Sequence, residues 1–175
     1  MKPQGLYYFP NLAFEVDIPD KWETIPNGKR LIQQYGYEYN YNSYKVKKIN
    51  DIPELFNPLL NILKSKCEEL GFNQDFNQCL INKYEPGEGI TKHIDSKVFG
   101  DIIGCFSLGH SYIKFSNNNS IFNQYIEDHS LYIMSGDSRY LWKHEMEKRK
   151  SDTVDNKRIM RETRISITFR LCKSD

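Results

Sequence analysis

The 175 residues predict a mainly β domain with a flanking helix, a sandwich or barrel assembled from short strands. Segments after residue 71 alternate apolar and polar side chains with period two. A single segment before it repeats apolar residues at helical spacing instead. Gly, Pro, Asn and Ser punctuate the chain at short intervals, as turns between short strands require.

Taken in order, the first 34 residues are a short, Pro-containing lead-in. "YGYEYNY" follows, with Tyr35, Tyr37, Tyr39 and Tyr41 at alternate positions. On a continuous strand those four rings share one face, a stacking platform for an exposed base. Residues 54–70, "ELFNPLLNILKSKCEEL", place Leu59, Ile62, Leu63, Cys67 and Leu70 on one helical face, and Gly71 stands where a left-handed cap falls. Strands are then expected in "FNQCLINKY", "DIIGCFSLG", "YIKFS", "SLYIMSG" and "TRISITFRL", with "SNNNS" as a loop tip and a mobile charged loop between His144 and Arg164. In "LINKY", Leu80, Asn82 and Tyr84 share one face. In "TRISITFRL", Arg164, Ser166, Thr168 and Arg170 share one face, opposite Ile165, Ile167, Phe169 and Leu171.

Composition bounds the function. No apolar run approaches the roughly 20 residues of a membrane-spanning helix, and the N-terminus lacks the apolar stretch of a secretory signal, so a soluble, intracellular protein is expected, cytoplasmic with the nucleus as the alternative, and a monomer is assumed. Cys67, Cys79, Cys105 and Cys172 lie far apart with no CxxC pair, which argues for reduced, packed thiols over zinc or a disulfide framework. Net charge is only +1, but residues 139–173 hold eleven Lys or Arg against five Asp or Glu. That asymmetry offers an edge to phosphates.

The chemistry concentrates in "YEPGEGITKHID". His93 and Asp95, two apart on a strand, project to one side and can share one metal ion, as in the 2-His-1-carboxylate triad of non-haem iron oxygenases. The second histidine is His110, His129 or His144. Spacing does not choose among them, but His144, ending "MSGDSRYLWKH" after an apolar strand and a glycine turn, is best placed to return to the site. Arg164 and Arg170 close the set. Six strand residues span roughly 20 Å, and two long side chains leaning together leave a gap for a short dicarboxylate, which the planar guanidinium fork suits.

Taken jointly, "NKYEPGEGITKHID", "FSLG", "LYIMSGDSRYLWKH" and "RISITFR" resemble, in order, the AlkB family of Fe(II)- and 2-oxoglutarate-dependent dioxygenases. The likeness runs from about Tyr35 to the C-terminus, and within the family is strongest to the oxygenase domain of wobble-uridine hydroxylases of tRNA. It implies a double-stranded β-helix of the jelly-roll, cupin-like type over residues 35–175, with residues 1–34 as an extension packing on that core. It also implies Fe(II), 2-oxoglutarate and O2: His93, Asp95 and His144 as metal ligands, and Asn82, Tyr84, Arg164, Ser166 and Arg170 on the co-substrate. The implied reaction oxidises 2-oxoglutarate to succinate and CO2 while hydroxylating a substrate C–H. An N-methyl group is thereby lost as formaldehyde, whereas a plain methylene keeps its hydroxyl. The implied partner is nucleic acid, RNA before DNA, with a modified uridine favoured and alkylated-base repair as the alternative. Arg139 matches a substrate-side arginine of the family, and Tyr35 and Tyr37 are candidate base contacts. At Lys97 the founding member carries an acidic residue, so cationic methylated bases are expected to be disfavoured. A protein or small-molecule hydroxylase, or an RNA-binding module without catalysis, are the readings from other classes.

Overall fold

The computed structural model describes residues 1–173. Its strands are β1 (Leu6–Phe9), β2 (Glu23–Thr24), β3 (Leu31–Tyr35), β4 (Tyr37–Tyr39), β5 (Val46–Lys48), β6 (Gln78–Tyr84), β7 (Ile90–His93) and β8 (Ile103–Leu108). There follow β9 (Ser111–Ser116), β10 (Ile121–Ile126), β11 (Ser130–Met134), β12 (Lys143–Met146), β13 (Ser151–Val154), β14 (Lys157–Met160) and β15 (Arg164–Arg170). Helix α1 spans Asn57–Glu69 after a 3-10 turn at Glu54–Phe56, and α2 spans Gly136–Tyr140. A seven-stranded sheet in the order β1-β11-β8-β15-β6-β3-β2 is paired with a four-stranded sheet, β10-β9-β12-β7.

Two apolar layers hold the molecule together, one on each face of the large sheet. On the outer face, Leu59, Leu63 and Cys67 of α1 pack on Cys79, Ile81, Phe106, Leu131, Ile167 and Phe169. Gly104 makes this approach possible, because a Cβ there would lie 2.5 Å from Leu63 Cδ1. Between the sheets, Ile103, Cys105, Tyr132 and Met134 meet Ile113, Phe115, Trp142 and Met146. Since α1 takes the apolar face of β6 and β15, their polar faces are forced into the space between the sheets. That settles which way Asn82, Tyr84, Arg164, Ser166 and Arg170 look.

Three expectations need correcting. The boundary at 34/35 falls inside β3, and β1, β2 and β3 are strands of the large sheet rather than an extension laid upon it. The tyrosines do not share one face: Gly36, at φ +77° with Asn77 O where a Cβ would stand, breaks the strand after Tyr35 and sends β4 into a separate two-stranded sheet with β5. The segment between His144 and Arg164 is no mobile loop. It contains the β13–β14 hairpin, turned by Asp155 (φ 48°) and Asn156 (φ 62°), the left-handed pair of a type I′ turn. Its base is fixed by buried Arg161, which donates to both carboxylate oxygens of Asp152 at 2.7 and 2.9 Å and to Glu147 O at 2.8 Å.

Candidate active site

Pairing of β12 with β7 puts His144 directly opposite His93 in register, with ring centroids 4.4 Å apart. Asp95 lies two residues on, just past the end of β7, and is 7% exposed. Its Oδ1 is 3.4 Å from His93 Nε2 and 3.4 Å from His144 Nε2. Donors each about 2.1 Å from one metal ion, at right angles, stand roughly 3 Å apart, so this spacing fits a shared ion. Its three donor atoms fall within 4.8 Å of one another.

The protonation states suit the same end. His93 Nδ1–H donates to Thr91 O at 2.7 Å, which leaves Nε2 as the ring nitrogen facing Asp95. Burial, reinforced by the neighbouring His93, pushes His144 down to about 3, so its imidazole is neutral at physiological pH. Burial opposes ionisation of Asp95. The Arg170 charge outweighs it and holds the carboxyl well below the usual range. Two imidazoles and one carboxylate are the donor set that iron(II) takes.

Beside the triad opens a cavity of about 960 Å³ between the two sheets. Arg164 and Arg170, both buried, reach into it from the two ends of β15. Arg164 Nε donates to Ser107 Oγ at 2.9 Å, while its Nη2 has no hydrogen-bond partner among the described residues. Arg170 Nη2 sits 2.8 Å from Asp95 Oδ2, and its Nε is likewise unpartnered. Two buried guanidinium groups with donors to spare, one near the triad and one at the far end of the strand, fit a dicarboxylate spanning between them. Asn82, Tyr84 and Ser166 line the same wall, and Asn82 Nδ2 lies 3.4 Å from Ser166 Oγ.

Other expected site residues lie elsewhere. Tyr35 packs on Phe56 with ring centroids 5.6 Å apart and donates its hydroxyl to Gln33; neither it nor Tyr37 lines the cavity. Tyr39, Tyr41 and Tyr44 do, because the Gly36 break turns that segment over the mouth. Lys97 is exposed and outside the lining. Arg139 is 2% exposed and outside it as well, with its guanidinium spent on backbone carbonyls. His110 and His129 stand at turns away from the triad, His129 at φ 54° against the Phe14 ring. Among the cavity residues not singled out by the sequence, Arg30 stands out: its Nε donates to Asn82 Oδ1 at 2.8 Å and its guanidinium lies 5.8 Å from the Tyr41 ring centre. No local pattern marks Arg30; only the β3–β6 pairing, Ile32 opposite Asn82, brings it there.

A jelly-roll-like pair of sheets enclosing a His-x-Asp…His triad and two inward arginines defines a non-haem iron oxygenase that uses a 2-oxo acid. Residues 17–170 match the family model of the 2OG-Fe(II) oxygenase superfamily, and the chain belongs to it, as an AlkB-family member. The uncharacterized protein L905 of Acanthamoeba polyphaga mimivirus is 38% identical over 156 residues, 85% of this chain and 72% of that protein. The Xenopus tropicalis protein named tRNA (carboxymethyluridine(34)-5-O)-methyltransferase alkbh8 is 37% identical over 71% of this chain, which spans only 20% of that longer protein. An Arabidopsis thaliana protein named alkylated DNA repair protein ALKBH8 homolog is 29% identical over 95% of this chain and 58% of its own length. The solved structure of OsALKBH1 superposes with a TM-score of 0.71 over 97% of both chains at 18% identity, a likeness of fold. The enzyme is thus a 2-oxoglutarate-dependent dioxygenase with Fe(II), 2-oxoglutarate and O2. No helix among the described residues is long and apolar enough to cross a membrane.

Proposed function

We propose that this dioxygenase oxidises a modified base in RNA, a tRNA uridine before others, with His93, Asp95 and His144 holding the iron. The single observation that carries this reading is the mouth of the cavity. Tyr39, Tyr41 and Tyr44 line it there with Lys29, Arg30 and Lys148, in the same cavity as the triad. Aromatic faces stack on a base released from its neighbours, and cations hold the phosphates that flank it. The three cations also disfavour a positively charged methylated base, the discrimination first sought at Lys97.

When bound, iron with 2-oxoglutarate and O2 supplies oxidation of a substrate C–H coupled to decarboxylation of the 2-oxo acid. Everything else falls to this chain's own side chains. Arg164 and Ser166 take the far carboxylate, Arg170 steadies Asp95 and the near end, and Asn82 and Tyr84 orient the co-substrate from the adjacent strand. The large sheet and the ring of Phe115, 6.0 Å from His144, shield the triad from water on the inner side. The substrate base enters from the side where Tyr39, Tyr41 and Tyr44 line the cavity.

A second reading, oxidative removal of alkyl groups from damaged bases, is favoured by the printed name of the Arabidopsis relative. Turnover on a panel separates the two: tRNA or anticodon stem-loops carrying 5-substituted uridines, beside oligonucleotides carrying 1-methyladenine or 3-methylcytosine. Succinate formation and product mass are read for each. Hydroxylated uridine with little or no formaldehyde from the methylated bases is the expected result. Efficient demethylation with no uridine product moves the enzyme to the repair reading.

A further inference from the structure

We infer that Arg139 is a positioning residue of the metal centre, fixing the backbone that carries Asp95, and that it does not meet the substrate. The inference rests on the assignment of His93, Asp95 and His144 as metal ligands. Asp95 lies beyond the last ladder residue of β7, so no strand pairing holds it, whereas His93 and His144 hold each other in register. Instead, all three guanidinium nitrogens of Arg139 are spent on the turn that follows. Nη1 donates to Asp95 O at 2.8 Å, Nη2 to Ser96 O at 2.8 Å and Phe99 O at 3.1 Å, and Nε to Gly100 O at 3.0 Å.

Four carbonyls converging on one planar cation make a rigid turn, and this fork cannot be copied by an ammonium group. Arg139 belongs to α2, whose N-terminus is closed by a Ser135–Ser138 capping box, and the chain runs from it through Trp142 into His144. The bond to Asp95 O therefore ties the element leading to one metal ligand to the backbone of another. Arg170 fixes the Asp95 carboxylate and Arg139 fixes its main chain, so the two arginines divide the task. A side chain with every nitrogen already engaged and 2% exposure has nothing left to offer a nucleotide.

Co(II) titration of the metal-free protein, followed by its visible absorption, tests this without turnover. Arg139→Lys and Arg139→Gln are compared with wild type, with His144→Ala as a control for the ligand assignment itself. The expected result is a 10- to 100-fold weaker Co(II) Kd in both Arg139 variants, with unchanged affinity for a labelled anticodon stem-loop measured without metal. If His144→Ala keeps wild-type Co(II) binding, the ligand assignment fails and the inference falls with it. Wild-type Co(II) affinity in a folded Arg139 variant, with weakened RNA binding, would make Arg139 a substrate residue and overturn the inference alone. Failure of both variants to fold even in saturating Co(II) would mark Arg139 as a residue of the fold and overturn it too.

Discussion

Replacing Arg164 with methionine removes the guanidinium and keeps most of the side-chain volume. Arg164 is 4% exposed, and its one strong hydrogen-bond partner among the described residues is the neutral hydroxyl of Ser107 at 2.9 Å. The substitution therefore leaves no buried charge behind, and its effect on the fold is the loss of one neutral contact, about 1 kcal/mol. A co-substrate carboxylate loses far more, because a charge-assisted contact in a dry site is worth about 1.5–3 kcal/mol. At one decade per 1.4 kcal/mol this is a rise in the KM for 2-oxoglutarate of roughly 10- to 150-fold. Succinate formation at saturating Fe(II) across a 2-oxoglutarate titration measures it. Arg158→Ala is the matched control, since Arg158 stands six residues before Arg164 as Arg170 stands six after it. Arg158 is exposed on the hairpin and its guanidinium donates to Ser151 Oγ, away from the cavity lining, so its loss should leave the KM unchanged. Equal KM values for the two variants would refute the assignment of the inward face of β15 to the co-substrate.

Metal binding should vanish in His144→Ala but persist in His110→Ala and His129→Ala, read by calorimetric titration with Mn(II); retained binding in the His144 variant would be incompatible with the triad. Asp152→Asn removes the charge that neutralises buried Arg161 and should cost about 3 kcal/mol, lowering Tm by roughly 6–12 °C at 2–4 °C per kcal/mol; a shift under about 2 °C on thermal denaturation would contradict it. Burial, with the Tyr8 hydroxyl donating a hydrogen bond to the Glu127 carboxylate at 2.8 Å, pushes Tyr8 up to about 12 from an ordinary 10.0. Between those values the unfolded chain gives up a proton that the folded protein keeps. Stability is thus intact below pH 10 and falls toward pH 12, and Tyr8→Phe should flatten that part of a denaturation-versus-pH curve.

The sequence made β6, β8, β9, β11, β15 and α1 legible because each carries its own period, and it singled out His93 and Asp95 by their spacing of two, although β7 ends at His93 and Asp95 lies past it; seating His144 beside them takes the β7–β12 pairing. The direction of the polar faces was not legible, since alternation is the same on either side of a sheet until α1 claims one of them. The hairpin was hidden for another reason. Its anchor is an Arg161–Asp152 pair that looks like solvated charge in one dimension, and Asp155-Asn156 lacks the glycine that most often marks a type I′ turn. The tyrosine run misled because one residue, Gly36, resets the backbone; the rings that reach the mouth are Tyr39 and Tyr41, and not Tyr35. Arg30 and the four-carbonyl grip of Arg139 depend on tertiary neighbours 39 or more residues away, beyond any local pattern.

Strand β15, made after every other described strand, sits in the middle of the large sheet between β8 and β6. Without it the sheet is two three-stranded pieces, β1-β11-β8 and β6-β3-β2, each with a bare edge facing the other. A nascent chain therefore carries two unpaired strand edges, an invitation to wrong partners, until residues 164–170 leave the ribosome. Closure then pairs Gln78 with Arg170 and Tyr84 with Arg164 across long stretches of sequence, the kind of non-local step that makes folding slow. The same step delivers both inward arginines. Completion of the sheet and completion of the co-substrate wall are one event, and a polypeptide stalled before it would be both inactive and prone to aggregate.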